Sequence, residues 1–496
     1  MKRQSFFDKL FARKTPRGLR RAQRFDSAFD NPADRGTWAR ADSLSIIAAL
    51  DPHTRQKSRN RARYLMASNS YAYGAASAIV SAVCGTMPRL QLSDAKADSE
   101  TLTRIENDFS VWAGEIGLAD KLRTMRFARF MDGETFAILV SNPTREHASG
   151  VTLDVCVIDC ARVAAPLASP TDVNNIDGVI VDDYGVPVAY RILDYNPGNL
   201  VVVKAFDSAK IYPAQNVCHW FKKQYPEQVR GITELAPALE LFALIDRYSK
   251  AVVQASETAA DLAMVIHTDG AEDDAAMNID DSTPPFSPGS EQPFVQFPWM
   301  RGLTMTLPEG WDAKQINAEQ PSNSYSMLVD EILAQIGSAI NVPKLMMKNS
   351  AENYNYSSAR VDIQNFQNAA RLDRDSLCHT VLNPIWRAWY AEYRAINGLN
   401  VWPSATWYFD GFFHVDPLKE ANAQIARVNA GLSTLASEYG AKGKDWEREI
   451  SQIAREKARI KELEEEYGVR LTADSLTQTL DTTTDAPVAT DERETE

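Results

Sequence analysis

Apolar residues between positions 326 and 397 recur every three or four residues, which is the spacing of one face of an α-helix. The first run predicts a helix over 326–340, and Pro343 ends it because the residue before a proline is disfavoured in helical conformation. Residues 344–354 have no such period and are rich in Asn, Ser and Lys, so they predict an exposed loop. The predicted apolar stripe of the first helix consists of Met327, Leu328, Ile332, Leu333, Ile336 and Ile340.

Helical spacing returns at Ser357 and continues to about Asn397, with Pro384 as its one interruption. At about 1.5 Å per residue this is on the order of 60 Å of helix, so a large part of the molecule must pack along it. The predicted buried positions are Val361, Phe366, Ala369, Leu372, Leu377, Val381, Ile385, Trp389 and Tyr393.

The N-terminal half predicts helices followed by strands. Helical patterns cover 55–83 and 102–130, and the second is interrupted near Gly114 and Gly117. A small antiparallel, mixed α+β region follows, because its segments are β-branched or alternating and are separated by turn residues. Asp132-Gly133-Glu134 at its entrance predicts a turn, not a catalytic carboxylate pair. The predicted strands are 136–140, 151–158, 178–181, 186–193, 201–205 and 211–212.

A second long helix is predicted over 233–266, with Thr233 as its cap and Pro237 in its first turn. The composition then changes sharply, because residues 268–322 hold ten acidic residues, two basic residues and seven prolines. This segment predicts a loop-rich insertion with Trp299 and Trp311 as its large apolar anchors. The acidic residues lack the spacing of a calcium loop, so a solvated acidic loop is favoured over a cation site.

The C-terminal part predicts a short aromatic strand region over 401–413 and three helices, over 416–431, 434–439 and 444–467. The last helix carries a narrow apolar stripe among dense charges, which is suited to packing against a neighbouring helix. Residues 472–496 are acidic and Thr-rich with almost nothing to bury, which predicts disorder. The stripe consists of Trp446, Ile450, Ile453, Ile460 and Leu463.

Composition and charge narrow the class of protein. The chain has 496 residues, a net charge of −13 and five scattered cysteines, which is typical of a soluble protein in a reducing compartment with no disulfide scaffold. It has no apolar run long enough to cross a membrane and no signal-peptide core. Residues 2–24 hold nine basic side chains and one acidic one. This arm fits contact with nucleic acid or an acidic partner, and equally a solvated chain end.

Motifs of enzymes are missing from the sequence. It lacks the phosphate-cradling Gly-rich loop, the Gly-x-Ser-x-Gly elbow and the His-Glu-x-x-His zinc motif. The six histidines do not repeat at the spacing of metal ligands. Adjacent Cys218 and His219 predict a strand end, because neighbouring strand residues point to opposite faces and cannot form a nucleophile–base pair. We therefore expect no catalytic residue, metal or cofactor.

Four segments resemble the lambda-type family of tailed-bacteriophage portal proteins, in order over about residues 40–470. The most specific is Asn355-Tyr356-Ser357-Ser358-Ala359-Arg360, where the second helix of the first pattern begins. The acidic insertion at 268–322 and the C-terminal tail depart from the family pattern. The other three segments are 59–74, 217–239 and Asp416-Pro417-Leu418-Lys419-Glu420-Ala421.

The resemblance implies an α+β portal fold, with long stem and wing helices, a small mixed β region in the wing, an inserted clip and a helical crown. It divides the chain into a basic N-terminal arm (1–40), wing (41–232), stem helix (233–266), clip (267–322), second stem helix (323–341), tunnel loop (342–356), long wing helix with short strands (357–415), crown (416–471) and acidic tail (472–496).

The resemblance also implies a function. Portal proteins form dodecameric rings at one capsid vertex of the virion, pass double-stranded DNA without sequence specificity during packaging and ejection, and nucleate procapsid assembly in the host cytoplasm. The implied partners are the terminase large subunit, which hydrolyses the ATP, the major capsid protein and scaffold, and head-tail adaptor proteins. A metal-dependent DNA-processing enzyme of a mobile element and a monomeric binding module are the alternatives.

The resemblance assigns three groups of site residues. The tunnel loop supplies the DNA channel, where Lys344 and Lys348 either touch passing phosphates or remain solvated loop charges. The motif residues begin the wing helix, and the large side chains of the clip contact partners. The channel residues are Lys344, Met346, Met347, Lys348 and Asn349; the motif residues are Asn355, Tyr356, Ser357, Ser358 and Arg360; the clip contacts are Trp299, Arg301 and Trp311.

Overall fold

The computed structural model divides the chain into two compact units, residues 1–49 and 50–496. In the first unit, helix α1 (Ile46–Ala49) is described, and the second unit carries all the other elements below. The predicted tail at 472–496 and the basic arm at 2–24 lie outside the described residues. The structure describes residues 45–94, 98–144, 147–165, 174–198, 208–261, 265–268, 311–314, 323–352, 354–412, 417–444 and 446–468.

Four helices open the second unit. The predicted helix over 55–83 is in fact two helices, because Asn69 adopts an extended conformation and its side chain caps the second one. Gly117, in the left-handed conformation, separates the next pair close to the predicted interruption. The helices are α2 (Pro52–Ser68), α3 (Ser70–Cys84), α4 (Ser99–Glu115) and α5 (Leu118–Asp132).

Two antiparallel sheets follow, which confirms the predicted α+β class. One has the strand order β3-β2-β8 and the other β4-β5-β6-β7. Their inner faces share a small core that includes Phe136, Val179 and Ile192. The predicted strand at 201–205 lies outside the described residues. The strands are β2 (Glu134–Ser141), β3 (Leu153–Ile158), β4 (Asn175–Ile176), β5 (Val179–Val181), β6 (Pro187–Leu193), β7 (Ala209–Pro213) and β8 (Val217–Phe221).

Helix α6 (Leu239–Asp261) follows a short 3-10 turn at Ala236–Ala238 and lies within the long helix predicted over 233–266. The predicted extension to residue 266 is wrong, because strand β9 (Val265–Thr268) follows and pairs antiparallel with β10 (Trp311–Lys314). The β-branched residues Val265 and Ile266 favour a strand once a partner strand is present. This pair joins the two ends of the acidic insertion.

Helix α7 (Asn323–Ile340) leads into a short helix, α8 (Lys344–Lys348), and then into α9 (Tyr356–Leu377). The predicted stripe of α7 is wrong at its first two positions, since Met327 is 71% and Leu328 43% exposed. The buried positions begin at Val329. The prediction of an exposed loop over 344–354 is also wrong locally, because α8 is helical and its Met347 is buried.

A π-helical turn (Cys378–Leu382) connects α9 to α10 (Asn383–Asn397), so the predicted long helix is continuous. The buried side of α9 carries Phe366, Ala370 and Leu377. Val361 and Leu372, predicted as buried, are 55% and 75% exposed. A π turn contains one residue more than an α turn, which shifts the helical phase, so a single period cannot describe both halves.

An aromatic cluster holds the long helix in the core. Trp389 lies edge-on to Phe109 of α4, with ring centroids 5.2 Å apart, and Trp389 also stacks on Tyr393 at 4.6 Å. Such pairs contribute about 0.5–1.5 kcal/mol beyond the burial of their area. The long helix is therefore packed along the core, as its length predicted.

The predicted aromatic strand region is β11 (Ser404–Tyr408), which pairs antiparallel with β1 (Arg89–Ser93).

The C-terminal helices are α11 (Pro417–Asn429), α12 (Leu435–Ala441) and α13 (Trp446–Tyr467), in agreement with the predicted three. Thr434 caps α12 through Ser437 N. Helix α13 buries none of its residues. In the described part of the chain, no helix combines the length and apolar character of a membrane span.

Candidate functional site

The turn from α7 into α8 is built on two residues with special backbone geometry. Asn341 adopts a left-handed conformation, and Pro343 begins α8 as its N-cap. The amide of Val342 donates to the carbonyl oxygen of Gly337 at 3.1 Å, which closes the turn against the end of α7. Asn349, also left-handed, ends α8. Helix α8 therefore reverses the chain direction tightly between the two long helices.

Two glycines let α8 lie against its neighbours. A Cβ atom on Gly337 of α7 would lie 2.6 Å from the carbonyl oxygen of Val342, and one on Gly74 of α3 would lie 3.2 Å from that of Met347. Met347 is buried, while Met346 is partly buried against the same core. Of the predicted channel residues, Met347 is thus a core side chain of this subunit.

The two predicted channel lysines share one carboxylate. Lys348 Nζ lies 2.8 Å from Asp330 Oδ1, and Lys344 Nζ lies 3.3 Å from Asp330 Oδ2. Lys344 also lies over the ring of Tyr354, 5.7 Å from its centroid. The structure therefore brings Lys344 and Lys348 together beside the middle of α7, and the three charges sum to one positive unit.

Titration follows from this geometry. Burial raises the pKa of Asp330, but hydrogen bonds from Lys348 and Lys344 outweigh it, so the pKa of Asp330 lies below its ordinary value. The hydrogen bond to Asp330 raises the pKa of Lys348. Both partners are therefore charged near neutral pH. Asp330 had no signal in the sequence, because its partners lie 14 and 18 residues away across a turn.

The family motif begins helix α9. Asn355 is its N-cap, and the side-chain oxygen accepts from Ser358 N at 2.8 Å. Ser357, Ser358 and Arg360 are exposed, and the side chain of Tyr356 lies outside the described part of the structure. The motif thus has a local physical role, since the cap satisfies a helix-end amide that has no partner within the helix.

The predicted clip contacts lie in the acidic insertion. Trp299 and Arg301 fall outside the described residues. Trp311 begins β10, opposite Thr268 in the β9–β10 pair. The structure therefore places Trp311 at the base of the insertion.

A buried ion-pair network, which we call the Glu134 network, lies where β2 meets the segment before α6. Glu134 accepts hydrogen bonds from Arg230 at 2.6 Å, Arg55 at 3.2 Å and the Gly231 amide at 2.8 Å. Asp177 completes it with ion pairs to both arginines, the one to Arg230 at 3.3 Å. Two positive and two negative side chains thus balance in the interior.

The pKa values in this network follow from its charges. Burial raises the pKa of Glu134, but Arg230, His219 and Arg55 together hold it well below its ordinary value. Burial lowers the pKa of His219, which is therefore neutral and donates through Nε2 to Glu134 at 3.2 Å. Burial, reinforced by the charge of Arg230, lowers the pKa of Arg55 to about 10. Glu134 and Arg55 are therefore both ionised at neutral pH.

The backbone at this junction requires two glycines. Gly133, in the left-handed conformation, ends α5 and confirms the predicted turn, and its Cβ position would overlap the backbone of Ile232. A Cβ atom on Gly231 would in turn overlap the carbonyl oxygen of Gly133. The two segments therefore lie backbone against backbone, which brings Glu134 within reach of Arg230.

A second network, which we call the Arg126 network, connects three helical segments. Arg126 and Arg129 of α5 are buried, and both donate to Asp373 of α9, at 2.7 and 2.9 Å. Arg126 also makes a bidentate pair with Glu234, just before α6, with both bonds at 3.1 Å. Burial raises the pKa of Asp373, but the charges of Arg126 and Arg129 outweigh burial, so this pKa lies below its ordinary value. The segment before α6 is thus tied to the C-terminal part of α9.

Sequence analysis missed both networks. A signal for the second one exists, because Arg126 and Arg129 lie on the same helical face as the buried Leu122 and Met125. Charged residues on an apolar face need buried partners. No comparable signal marks Glu134, which begins a strand.

One group of possible metal ligands is present among the described residues, formed by Asp132, Asp159 and Cys160. Arg63 lies 2.6 Å from the Asp132 carboxylate and 3.0 Å from that of Asp159. The guanidinium therefore takes the place that a cation would need, and the group serves as an ion-pair cluster between α2 and β3.

Comparison with known proteins identifies the family. A model of the phage portal proteins of the lambda family matches residues 35–374. The chain therefore belongs to the lambda family of phage portal proteins. This match contains α7, α8, α9 up to Arg374, and both buried networks.

Three chains in solved structures are similar to this chain over most of its length. A chain from the virion of a native gene transfer agent particle is 15% identical, with 78% of this chain and 93% of that chain covered at a TM-score of 0.43. A chain from the neck of the native particle, computed with C12 symmetry, is 14% identical, with 77% and 93% covered at 0.39. A portal protein of the HK97 family from Corynebacterium diphtheriae is 12% identical, with 72% and 95% covered at 0.28.

Proposed function

We propose that this chain forms a dodecameric ring at one capsid vertex and serves as the channel for packaging and ejecting double-stranded DNA. Membership of the lambda portal family carries this proposal. The ring would dock the terminase motor first and the head-tail adaptor proteins later, and it would nucleate procapsid assembly with scaffold and major capsid protein. The motor, not this chain, would hydrolyse ATP.

The domain assignments of the resemblance become parts of this proposal. Helices α6 and α7 would form the stem, the acidic insertion between them the clip, and α11–α13 the crown. Residues 41–232 would form most of the wing, and 342–356 the tunnel segment. The Arg126 network supports a rigid connection between stem and wing, because the buried Arg126 joins Glu234, in the segment before α6, to Asp373 of α9.

Exposed apolar side chains on the long helices support an assembly of several copies. Val253 on α6, Met327 on α7 and Leu372 on α9 are 56%, 71% and 75% exposed. Large apolar side chains on regular elements are expected to be covered when they lie in an interface between subunits. A ring would cover them with neighbouring copies.

Negative-stain electron microscopy of the purified full chain tests the ring. We expect annular particles with a central hole, and a mass of about twelve chains by light scattering. Monomeric particles without a hole, observed at a concentration at which other portal proteins assemble into complete rings, would contradict the proposal.

We further propose that Lys344 and Lys348 contact passing phosphates without sequence preference. Their excess of one positive charge over Asp330 limits the attraction, which suits a channel through which DNA must slide. Substitution by Glu would place three carboxylates together and disturb the α7–α8 turn itself. Gln is therefore the sharper probe.

For the double variant Lys344→Gln/Lys348→Gln, we expect intact rings and a several-fold loss of packaged or retained DNA, measured as nuclease-protected DNA per capsid. The matched control is Lys210→Gln/Lys223→Gln, which removes the same charge from two exposed wing lysines. Equal DNA protection in the two double variants would remove the channel role of these lysines and leave the ring proposal standing.

A further inference from the structure

Helix α13 is long and charged, and none of its residues is buried in this subunit. It begins on α4, where Arg448 donates to Asn107 at 2.8 Å. Beyond Ser451 its residues are exposed, apart from partial burial at positions 463 and 464. Ile450, Ile453 and Ile460 are each 37–38% exposed. A helix of this length is marginal in water unless an apolar face is covered.

The apolar stripe follows a heptad. Trp446, Ile450, Ile453, Ile460 and Tyr467 occupy the two seam positions of successive heptads, with Lys457 and Glu464 at the remaining seam positions. Such a seam is the surface on which a second helix packs. The two charged positions lie one heptad apart and have opposite signs.

The charges in the second half of α13 form two consecutive blocks. The first, 455–461, carries four basic residues and Glu456, and the second, 462–466, carries four acidic residues and no basic one. Two copies packed in register would place like charges side by side. A shift of seven residues instead places the basic block of one copy beside the acidic block of the next. The basic residues are Arg455, Lys457, Arg459 and Lys461; the acidic residues are Glu462, Glu464, Glu465 and Glu466.

The same shift preserves the apolar seam, because it equals one heptad. Ile453 of one copy then lies beside Ile460 of the next, and Lys457 lies beside Glu464. An antiparallel pair cannot match both features, since the register that pairs the charge blocks places Ile460 opposite Glu462. The block pattern and the seam together therefore select a parallel, staggered arrangement.

We propose that α13 packs against α13 of a neighbouring copy of this chain, in parallel and shifted by seven residues, with Lys457 of one copy paired to Glu464 of the other. This inference rests on the proposed ring. Rotation about a ring axis keeps all copies parallel and at the same height, so the shift requires inclined helices. A shift of about 10 Å between helices about 10 Å apart corresponds to an inclination of about 45°.

Disulfide trapping tests the stagger. The full chain carries Cys156→Ser, which removes an exposed native cysteine, together with Ile453→Cys and Ile460→Cys. Adjacent copies then bring unlike positions within disulfide distance, about 4.4–6.8 Å between Cα atoms. We call the chain with both introduced cysteines the double-cysteine chain, and a chain with only one of them a single-cysteine chain; the other native cysteines stay in all of them. We expect a ladder of cross-linked multimers on non-reducing gels for the double-cysteine chain, and monomers for each single-cysteine chain.

Exchanging the charges of Lys457 and Glu464 tests the same contact independently of where the cysteines are placed. In the double-cysteine chain, Lys457→Glu or Glu464→Lys should each lower the cross-linking rate about two- to five-fold, the range expected for one exposed ion pair. The two substitutions together should restore it. If each substitution lowers the cross-linking rate and the two together do not restore it, the pairing of Lys457 with Glu464 is overturned.

Failure of the inference and failure of the ring are distinguishable. Dimers from either single-cysteine chain would show an in-register seam and overturn the stagger. Rings in negative stain without cross-links in the double-cysteine chain would also overturn it, and would leave the proposed function standing. Absence of rings from the parent chain would overturn the proposed function and this inference with it.

Discussion

Replacing Glu134 by Gln removes one charge from the centre of the Glu134 network and changes the side-chain shape little. The amide keeps one oxygen as acceptor, but its NH2 group meets donors from Arg55, Arg230 and His219. The two arginines then retain Asp177 as their carboxylate partner in the network. Removing one member of a buried ion pair costs about 3–5 kcal/mol, and whole domains are stable by about 5–15 kcal/mol.

We therefore expect Glu134→Gln to lower the free energy of unfolding by about 4 kcal/mol. Urea denaturation followed by tryptophan fluorescence measures it, and the midpoint should fall by more than about 1 M for a slope near 3 kcal/mol/M. The control is Glu331→Gln on the exposed side of α7, which should change stability by less than about 0.5 kcal/mol. Equal midpoints for the two variants would refute the assignment of Glu134 as a stabilising charge.

The pH dependence gives an independent check. The pKa of Glu134 is held well below its ordinary value of 4.5 in the folded protein, so its contribution is fully present above that value. As pH falls below 4.5 the unfolded chain binds a proton that the folded protein does not. The stability gap between the parent chain and Glu134→Gln should then shrink by about 1.4 kcal/mol per pH unit. A gap that stays constant from pH 7 to pH 3 would contradict this reasoning.

Three further substitutions test the candidate site, each by urea denaturation of the purified chain. Asn355→Ala should cost about 1 kcal/mol and Asn355→Ser almost nothing, because only the first removes the cap of α9; equal losses would contradict the cap. Met347→Ala should cost about 2–5 kcal/mol as a buried side chain, whereas an exposed-loop Met347 would cost none. Gly133→Ala should cost at least about 3 kcal/mol, since its Cβ would meet the backbone of Ile232. The control is Gly114→Ala, whose Cβ position is open. A smaller loss of stability for Gly133→Ala than for Gly114→Ala would refute the contact with Ile232.

Much of the fold could be predicted from local signals. The long helices, the antiparallel strands and the breaks at glycines all depend on periodicity and turn chemistry within a few residues. Met327 shows where this reasoning fails, because an apolar residue at helical spacing is exposed in this single chain. Periodicity reports which residues share a face but not what covers that face.

The candidate site was less predictable, because its partners are distant in sequence. Asp330 meets Lys344 and Lys348 only after the turn at Asn341 and Pro343 has formed. Glu134 and Arg230 meet only because two glycines allow their segments to touch. The family motif located the start of α9 correctly, since a helix cap is a local interaction. Contacts between remote segments require the folded chain.

The π turn at Cys378–Leu382 makes the number of residues in the long helix as important as their identity. Surface loops generally tolerate the gain or loss of a residue. Loss of one residue within this turn would close it to an ordinary helical turn and rotate everything beyond it by about 100° relative to α9. Trp389 would then leave its place beside Phe109, and Tyr393 would lose its hydrogen bond to Asp108. Single-residue deletions should accordingly be far rarer among functional variants here than in the segments that flank the helix.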